Sequence, residues 1–261
     1  MVCIKIGGRA ATDADTFGML VGEIASQMRE QQFVVIHGGG AEVTRLAERL
    51  GISSVFQNGI RMTSPEEMEI VDMVLAGKMN KAIVRSFMAR GVRAVGLSGS
   101  DGGLFLGAPI DEGTRTGTVT TVDPAIVRLL CGSGYLPVIA STSATEEGVA
   151  LNINADEAAL AIAASVKAQS LLFLSDTPGI LDREGSVIPS LDEESAEARI
   201  TSGVITGGMI PKIRSAVTAL KSGVAGIIIG QYQTSGDLVK LLEGSLGSRV
   251  FLDLAGSRRS R

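Results

Sequence analysis

Two lysines stand close to glycine pairs in this sequence of 261 residues. Lys5 comes two residues before a glycine pair that begins at position 7, and Lys212 comes four residues after a pair that ends at position 208. Glycine lets backbone N–H groups approach an anion closely, and a lysine ammonium adds a positive charge. Both motifs therefore suit contact with a phosphate, although each taken alone also fits an ordinary connection with a solvated lysine.

A third glycine run, His37 followed by three glycines, comes directly after the apolar run at residues 33–36. Parallel strands of an open sheet meet ligands at their carboxyl ends, where glycines that lead into a helix form an anion cradle. Gly39 and Gly40 are therefore candidate binding residues. Because His37 is the only histidine, a Ser-His triad or a multi-histidine metal site is hard to build. A structural role at the strand end is expected for His37.

Three polar segments could contact a small ligand. Arg61 lies in a predicted turn and can hold a carboxylate with two parallel hydrogen bonds, although a lone surface arginine is an equal alternative. Asn152, Asn154 and Asp156 precede an alanine-rich helix, where capping explains the last two but leaves Asn152 unexplained. Residues 174–182 run from a strand into a polar turn that suits ribose or a metal, or serves only as a connection.

Elements that could position these residues follow one another regularly along the chain. Short β-branched runs alternate with helix-length amphipathic stretches, which is typical of parallel strands joined by crossover helices. The predicted strands are residues 3–6, 33–36, 94–97, 136–139, 171–174 and 226–229. The predicted helices are residues 13–29, 41–50, a pair over 65–90, 124–130, 154–166 and 209–221. The fold class is therefore α/β, with an open, mainly parallel central sheet sandwiched by helices.

Two local patterns refine this fold. Glycine-rich residues 98–122, with short Thr/Val alternation, predict β-hairpins inserted beside the main sheet. Ser64, followed by a proline, predicts a capped helix start in which the Glu67 side chain returns to the backbone of Ser64. The placement of the motifs predicts two lobes, residues 1–168 and residues 169–261.

Composition argues against several classes of protein. A formal net charge of -4 leaves no broad basic surface, so nucleic acid is not an expected partner. The two cysteines, Cys3 and Cys131, stand far apart in apolar contexts, which argues against a disulfide framework. No apolar run reaches the roughly 18 residues of a membrane span, and no leader precedes the first strand, so we expect a cytoplasmic protein. P-loop, dinucleotide-binding and H-E-x-x-H motifs are also missing.

Taken together and in order, the motifs resemble the amino-acid kinase superfamily and, within it, the family of the N-acetylglutamate kinases, which act in arginine biosynthesis. The resemblance spans essentially the whole chain. It rests on residues 5–8, 37–40, 58–63, 94–97, 152–156, 174–182 and 207–212. It implies the amino-acid kinase fold, ATP as co-substrate, and transfer of the γ-phosphoryl group of ATP to the γ-carboxylate of N-acetyl-L-glutamate.

The resemblance also implies roles for individual residues. Lys5 and Lys212 would flank the transferring phosphoryl group, and Asp156 would hold both lysines in place. The acylated amino acid would contact four residues: Gly39, Gly40, Arg61 and Asn152. The nucleotide would lie near eight residues: Gly7, Gly8, Asp176, Thr177, Gly179, Ile180, Leu181 and Asp182. The lobe of residues 1–168 then binds the substrate, and the lobe of residues 169–261 binds the nucleotide.

The resemblance carries expectations about the metal and the assembly too. Mg²⁺ is expected to be bound mainly through the ATP phosphates, in keeping with the lack of an obvious carboxylate cage. Arginine-inhibited members share an extra N-terminal helix before the first strand, whereas this sequence starts at the strand. A homodimer is therefore expected, without arginine feedback or the hexameric ring linked to that helix. Residues 230–233 lack the aspartate-glycine of relatives, so no contact is expected there.

Two other functions fit part of the sequence. A relative that phosphorylates aminoadipate or glutamate on a small acidic carrier protein shares the His37 motif and residues 97–99, but departs from residues 152–156 and 207–212. A non-catalytic sensor of amino acids or nucleotides has less need of two phosphoryl-flanking lysines. Free N-acetyl-L-glutamate is therefore the expected acceptor.

Overall fold

An eight-stranded sheet forms the centre of the computed structural model, which describes residues 1–7, 10, 13–57 and 59–253. The strands of the described residues, in chain order, are β1 (Val2–Ile6), β2 (Phe33–His37), β3 (Phe56–Gln57), β4 (Ile60–Arg61), β5 (Ala94–Leu97), β6 (Phe105–Pro109), β7 (Thr116–Val122), β8 (Leu136–Ala140), β9 (Thr142–Ala144), β10 (Ala150–Ile153), β11 (Ser170–Leu174), β12 (Ser190–Leu191), β13 (Ile227–Gly230) and β14 (Ser248–Val250). The order across the large sheet is β12-β14-β13-β11-β1-β2-β8-β5. Its neighbours pair in parallel except β13 with β14, which confirms the predicted open, mainly parallel sheet.

Helices follow most of the strands. Those of the described residues are α1 (Ala14–Gln27), α2 (Gly40–Arg49), α3 (Pro65–Asp72), α4 (Asn80–Met88), α5 (Ala125–Gly132), α6 (Ala155–Val166), α7 (Glu193–Thr201), α8 (Met209–Lys221) and α9 (Asp237–Glu243). A π-helix, Met73–Met79, joins α3 to α4 without a break. The helix pair predicted over residues 65–90 is therefore one continuous rod with a π-helical middle, a rare geometry that is often found at functional sites.

Alternate residues of the central strands enter two separate cores, one on each face of the sheet. Cys3 and Val34 lie in a core shared with α5, α6 and α8, whereas Ile4 and Val35 lie in a core shared with α1, α4 and α9. Side chains along a strand point alternately to opposite faces, so a strand buried on both faces must be apolar throughout. This requirement explains the unbroken apolar runs, and the predicted sandwich of helices around the sheet is confirmed.

A second, closed sheet of four strands, β6, β7, β9 and β10, stands beside the large one. The pair β6 and β7 is the hairpin predicted within residues 98–122. The other two strands come from residues after 140 and were not predicted, since β9 has only three residues and the four residues of β10 include Asn152 among the apolar ones. The parallel pairing of β10 with β7 places Asn152 beside Thr116, so this barrel carries one of the predicted binding residues.

The start of α3 is only half as predicted. The Ser64 side chain accepts a hydrogen bond from the Glu67 N–H at 3.1 Å, as expected for the N-cap. The predicted return of the Glu67 side chain to the Ser64 backbone is wrong. Instead, the Glu67 carboxylate pairs with Arg61 at 2.5 Å and accepts from Ser54 at 2.6 Å, because a buried guanidinium attracts a carboxylate more strongly than a neutral N–H does.

Candidate active site

The carboxyl ends of three neighbouring strands meet at one edge of the large sheet. Strands β11, β1 and β2 lie side by side in parallel, so the residues that follow them come together. Gly7 after β1, residues 38–40 after β2 and Asp176 after β11 line one cavity of about 1330 Å³. This edge of the sheet is therefore the candidate site.

Lys5, Asp156 and Lys212 form one charged cluster at this edge. Nζ of Lys5 lies 2.8 Å from Oδ1 of Asp156, and Nζ of Lys212 lies 3.1 Å from Oδ2. The three side chains are 18%, 29% and 20% exposed in that order, so a ligand can reach them. Oδ1 is buried, and its described partner is the Lys5 ammonium. The structure thus brings together the three residues predicted to be catalytic.

The carboxylate of this cluster is placed by the start of α6. Asn154 caps the helix by accepting hydrogen bonds from the N–H groups of Asp156 and Glu157, at 2.8 and 3.3 Å. Asp156 then lies in the first turn, where the helix favours a negative charge. Burial acts to raise the pKa of Asp156, but Lys5 and Lys212 outweigh it and hold that pKa below its usual value. Asp156 is therefore ionised at neutral pH.

Each lysine is held by a neighbour that suits its position. The ammonium of Lys5 lies above Gly7, where an added Cβ would come within 2.8 Å of Nζ. A glycine is therefore needed there for Lys5 to adopt this position. The ammonium of Lys212 lies 5.3 Å from the ring centre of Phe173, within the range of a cation–π contact. Phe173 belongs to β11, so the sheet itself positions the lysine of α8.

A smaller cavity of about 630 Å³ adjoins the charged cluster. Its lining includes the four residues predicted to contact the substrate: Gly39, Gly40, Arg61 and Asn152. Lys5 and Asp156 also line it, so one end of a bound ligand would lie against the cluster. Large apolar side chains complete the wall, among them Phe56, Ile60, Leu75 and Ile110. The cavity suits a small carboxylate that also carries an apolar group.

Arg61 is fixed in the wall of this cavity by four neighbours. Its Nη1 donates to the Glu67 carboxylate and to the Ser54 hydroxyl at 2.5 Å each, and its Nη2 donates to the Gly40 carbonyl at 2.9 Å and the Thr44 hydroxyl at 2.7 Å. Arg61 is 8% exposed and Glu67 is 1% exposed. A buried charge is costly unless it is paired, and Glu67 meets that need. The guanidinium therefore has one defined orientation.

Two buried threonines connect Arg61 to the barrel that carries Asn152. Thr116 donates its hydroxyl to the Arg61 carbonyl at 2.5 Å and accepts from the Thr63 N–H at 2.8 Å. The Asn152 amide donates to the Thr63 hydroxyl at 2.9 Å. These bonds fix the spacing between the guanidinium and the amide across the cavity.

No local pattern indicates that four of the residues supporting Arg61 and Asn152 have this role: Thr44, Ser54, Glu67 and Thr116. A buried arginine implies an acidic partner, but two adjacent glutamates follow Arg61 and their spacing does not show which one turns inward. The threonine links join segments more than 50 positions apart in sequence. Long-range contacts of this kind leave no local pattern.

The eight residues predicted to lie near a nucleotide are only partly brought together. Gly7 and Asp176 line the larger cavity, and Gly8 lies outside the described residues. Thr177 shares hydrogen bonds with Ser175, and the N–H of buried Ile180 donates to Ser248 at 2.7 Å.

The rest of that segment has structural partners. Gly179 packs so closely that an added Cβ would lie 2.6 Å from the Ser248 hydroxyl. Leu181 forms an isolated bridge with Val187, and the Asp182 carboxylate accepts from the N–H groups of Glu184 and Ser186 at 3.0 and 2.8 Å. These contacts shape a tight turn beside the edge of the sheet.

Two kinds of feature are missing from the described part of the chain. It contains no group of three or more His, Cys, Asp or Glu side chains arranged to hold a metal ion. None of its helices combines the length and the apolar character that crossing a membrane requires.

Comparison with known proteins identifies the relatives of this chain. Residues 1–231 match the model of the Amino acid kinase family. An acetylglutamate kinase of Synechococcus sp. (strain RCC307) is 41% identical over 266 residues, covering 99% of this chain and 88% of that protein. An acetylglutamate kinase of Chloroflexus aggregans is 40% identical over 97% of this chain and 98% of that protein.

A solved structure agrees with these sequence matches. The crystal structure of smu.665 from Streptococcus mutans UA159 superposes with a TM-score of 0.81 at 27% identity, covering 97% of this chain and 98% of that one. The family match spans most of the chain, and the two relatives exceed one third identity over nearly all of it. The chain therefore belongs to the amino acid kinase family and is a kinase that uses ATP as its co-substrate.

Proposed function

We propose that this kinase transfers the γ-phosphoryl group of ATP to the γ-carboxylate of N-acetyl-L-glutamate, forming N-acetyl-L-glutamyl 5-phosphate in arginine biosynthesis. The observation that carries the proposal is the pair of lysines held on one carboxylate beside a cavity with a fixed guanidinium. The acetylglutamate kinases to which the chain is similar favour a free acetylated acceptor over a carrier-linked one.

The charged cluster suits the chemistry of phosphoryl transfer. In the loose transition state, negative charge lies on the equatorial oxygens of the transferring group, so catalysis depends on positioning and positive charge. Lys5 and Lys212 supply that charge, and Asp156 keeps two like charges close together. A side-chain carboxylate with an ordinary pKa of about 4.3 is ionised at neutral pH and attacks without a general base.

The assignments for the nucleotide follow from this placement of the cluster. The ATP phosphates lie in the larger cavity beside Gly7 and Asp176, and Gly8 has the same role. The ribose and base lie over residues 169–261, near Thr177 and residues 179–182. Mg²⁺ enters with ATP and is held by phosphates and water, since the described residues offer no cluster of acidic ligands for it. A cytoplasmic location remains our prediction.

Initial rates of ADP release from Mg-ATP test the proposed function. Rates of the purified protein are compared in the presence of N-acetyl-L-glutamate, L-glutamate, L-aspartate or no acceptor. We expect release only with the acetylated substrate, because the cavity presents apolar side chains beside its guanidinium. Equal rates with L-glutamate and N-acetyl-L-glutamate would contradict the assignment of the acetylated compound as the acceptor. Silence with every acceptor would contradict the reaction and favour a carrier-linked substrate or a sensor.

Changing Arg61 to lysine is expected to raise the KM for N-acetyl-L-glutamate roughly tenfold to hundredfold and to change kcat much less. A lysine ammonium has three N–H donors and cannot satisfy the four acceptors that the guanidinium holds, so this part of the cavity wall loses its defined shape. Initial rates at saturating ATP measure both constants. Arg128→Lys is the matched control, since Arg128 is exposed and its side chain bonds only to the Ser165 carbonyl among the described residues. An unchanged KM in folded Arg61→Lys would exclude this role.

A homodimer is our proposal for the assembly. Strand β5 forms one end of the large sheet, and open sheet edges favour pairing. Met88 on α4, which packs against β5, is 60% exposed, and Leu129 on α5 is 68% exposed. Light scattering after size exclusion is expected to give about twice the chain mass of 27.0 kDa. Met88→Glu should shift the protein toward monomer, and a monomeric wild type would refute the proposal.

A further inference from the structure

His37 is the one histidine of the chain, and the reaction proposed above gives it no part. It ends β2 directly before the glycine run and is 1% exposed. Burial lowers the pKa of His37 to about 4, despite its hydrogen bond to the backbone of Gly38. The ring is therefore neutral at pH 7, with one nitrogen that donates and one that accepts.

The neighbours of the ring determine which nitrogen carries the proton. Nε2 of His37 lies 3.1 Å from the amide nitrogen of Asn80. Nδ1 lies 2.9 Å from the Gly38 carbonyl, which can only accept, so Nδ1 carries the hydrogen and Nε2 of the neutral ring is an acceptor. The amide nitrogen of Asn80 also lies 3.3 Å from the Leu97 carbonyl and 2.9 Å from the Val138 carbonyl, so it is the NH₂ end and suits an acceptor at Nε2.

Asn80 itself is held from several sides. Its amide oxygen accepts from the Lys81 ammonium at 3.0 Å. A Cβ at Gly96 would overlap this oxygen, so Gly96 leaves the space that the amide occupies. Asn80 is fully buried at the junction of the π-helix and α4. These contacts fix the position of the amide that faces Nε2 of His37.

The bond to the Gly38 carbonyl fixes the direction of the next N–H group. Every peptide bond of the described residues is trans. In a planar trans peptide the carbonyl and the following N–H point in opposite directions. With the Gly38 carbonyl held by the buried ring, the Gly39 N–H points away from that carbonyl, and residues 38–40 line both cavities. That N–H has no acceptor on a described residue.

We propose that His37 is a positioning residue, whose Nδ1–H holds the Gly38 carbonyl and so aims the Gly39 N–H at the transferring phosphoryl group. The inference rests on the proposed function. Gly39 is well suited to this task, because its φ of 154° belongs to glycine and a Cβ there would overlap Met79 of the π-helix. The π-helix and the imidazole together hold the loop in one conformation.

Three substitutions of His37 separate hydrogen bonding from packing. His37→Asn places an amide NH₂ near the position of Nδ1, His37→Gln reaches toward the position of Nε2, and His37→Leu keeps volume without a donor. We expect His37→Asn to keep kcat within about threefold of wild type. The other two should lower kcat roughly 10- to 100-fold, with the KM of both substrates within about threefold, because an N–H aimed at the transition state acts on kcat.

A second measurement does not depend on activity or on the variants folding. Because His37 is the only histidine, ¹⁵N-histidine NMR of the wild-type protein reports its tautomer directly. We expect a neutral ring with the proton on Nδ1 at pH 7. A proton on Nε2, or an imidazolium, would overturn the inference, and so would equal losses of kcat in all three folded variants. An inactive wild type with the Nδ1–H tautomer would instead contradict the proposed function.

Discussion

Replacing Lys212 with alanine is expected to lower kcat roughly 100- to 1000-fold, the usual cost of removing one group that stabilises transition-state charge. The ammonium of Lys212 lies on Oδ2 of Asp156, with its other side against the ring of Phe173. No other described side chain in that position carries a positive charge. The KM of N-acetyl-L-glutamate should change little, since Lys212 does not line the cavity assigned to it. Initial rates at saturating substrates measure the loss.

Lys221 provides the matched control for this variant. It lies on the same helix, α8, and pairs with Glu193 at 2.6 Å on the surface, where its side chain is 55% exposed. Lys221→Ala should leave kcat unchanged. Equal activities of the Lys212→Ala and wild-type proteins would show that this lysine takes no part in the chemistry. A sensor would be favoured if the wild type and Lys212→Ala bound N-acetyl-L-glutamate equally well and neither released ADP.

Replacing Asp156 with asparagine is expected to lower kcat by about 100-fold or more, because the amide cannot hold two ammonium groups together. Without the carboxylate, Lys5 and Lys212 repel each other and move apart. Glu193→Gln is the control, since it removes an acidic partner from a surface lysine outside the site. Steady-state kinetics measure the effect. A kcat within a few-fold of wild type would show that the lysines keep their places without Asp156.

The effect of Asp156→Asn on the free energy of unfolding should depend on pH. The pKa of Asp156 is lower in the folded state than its unfolded value of about 3.9. Its ionised form therefore contributes stability that is fully present above that value and is lost as the pH falls through the folded pKa. The difference in unfolding free energy between wild type and Asp156→Asn should be constant from pH 7 to about 5. Below about pH 4 the wild type should lose stability relative to the variant. Urea unfolding at several pH values measures it, and a difference that is flat down to pH 3 would contradict the pairing.

The parts of the fold that were predictable are those with local patterns. The apolar runs predicted six strands, and the bounds of α8 agree with the predicted residues 209–221. The short elements β12, β14, α7 and α9 were missed, because strands of two or three residues and helices of nine and seven residues are too short to show a clear periodicity. The π-helix could not be predicted either, since its residues also fit an ordinary helix.

The candidate site shows the same division. Glycine pairs beside lysines, and asparagines before a helix, are local and indicated Lys5, Lys212 and Asp156. The role expected for His37 was structural, which agrees with its burial. Its partner Asn80 lies 43 residues away in the middle of a helical stretch, so only the folded chain shows the contact. The contacts that hold the site residues in place join distant parts of the chain, whereas the motifs that indicate those residues are local in sequence.

The position of β1 in the middle of the sheet has a consequence for how the chain is made. One edge of β1 pairs with β2, which follows it closely, but the other edge pairs with β11, which begins at Ser170. At a synthesis rate of about 5–20 residues per second, β11 emerges on the order of 10 s after β2. During that interval a mostly apolar strand has an unpaired edge, the kind of surface that aggregates and that chaperones cover. The strand that carries the first lysine is therefore the part of the nascent chain most exposed to misassembly on the ribosome.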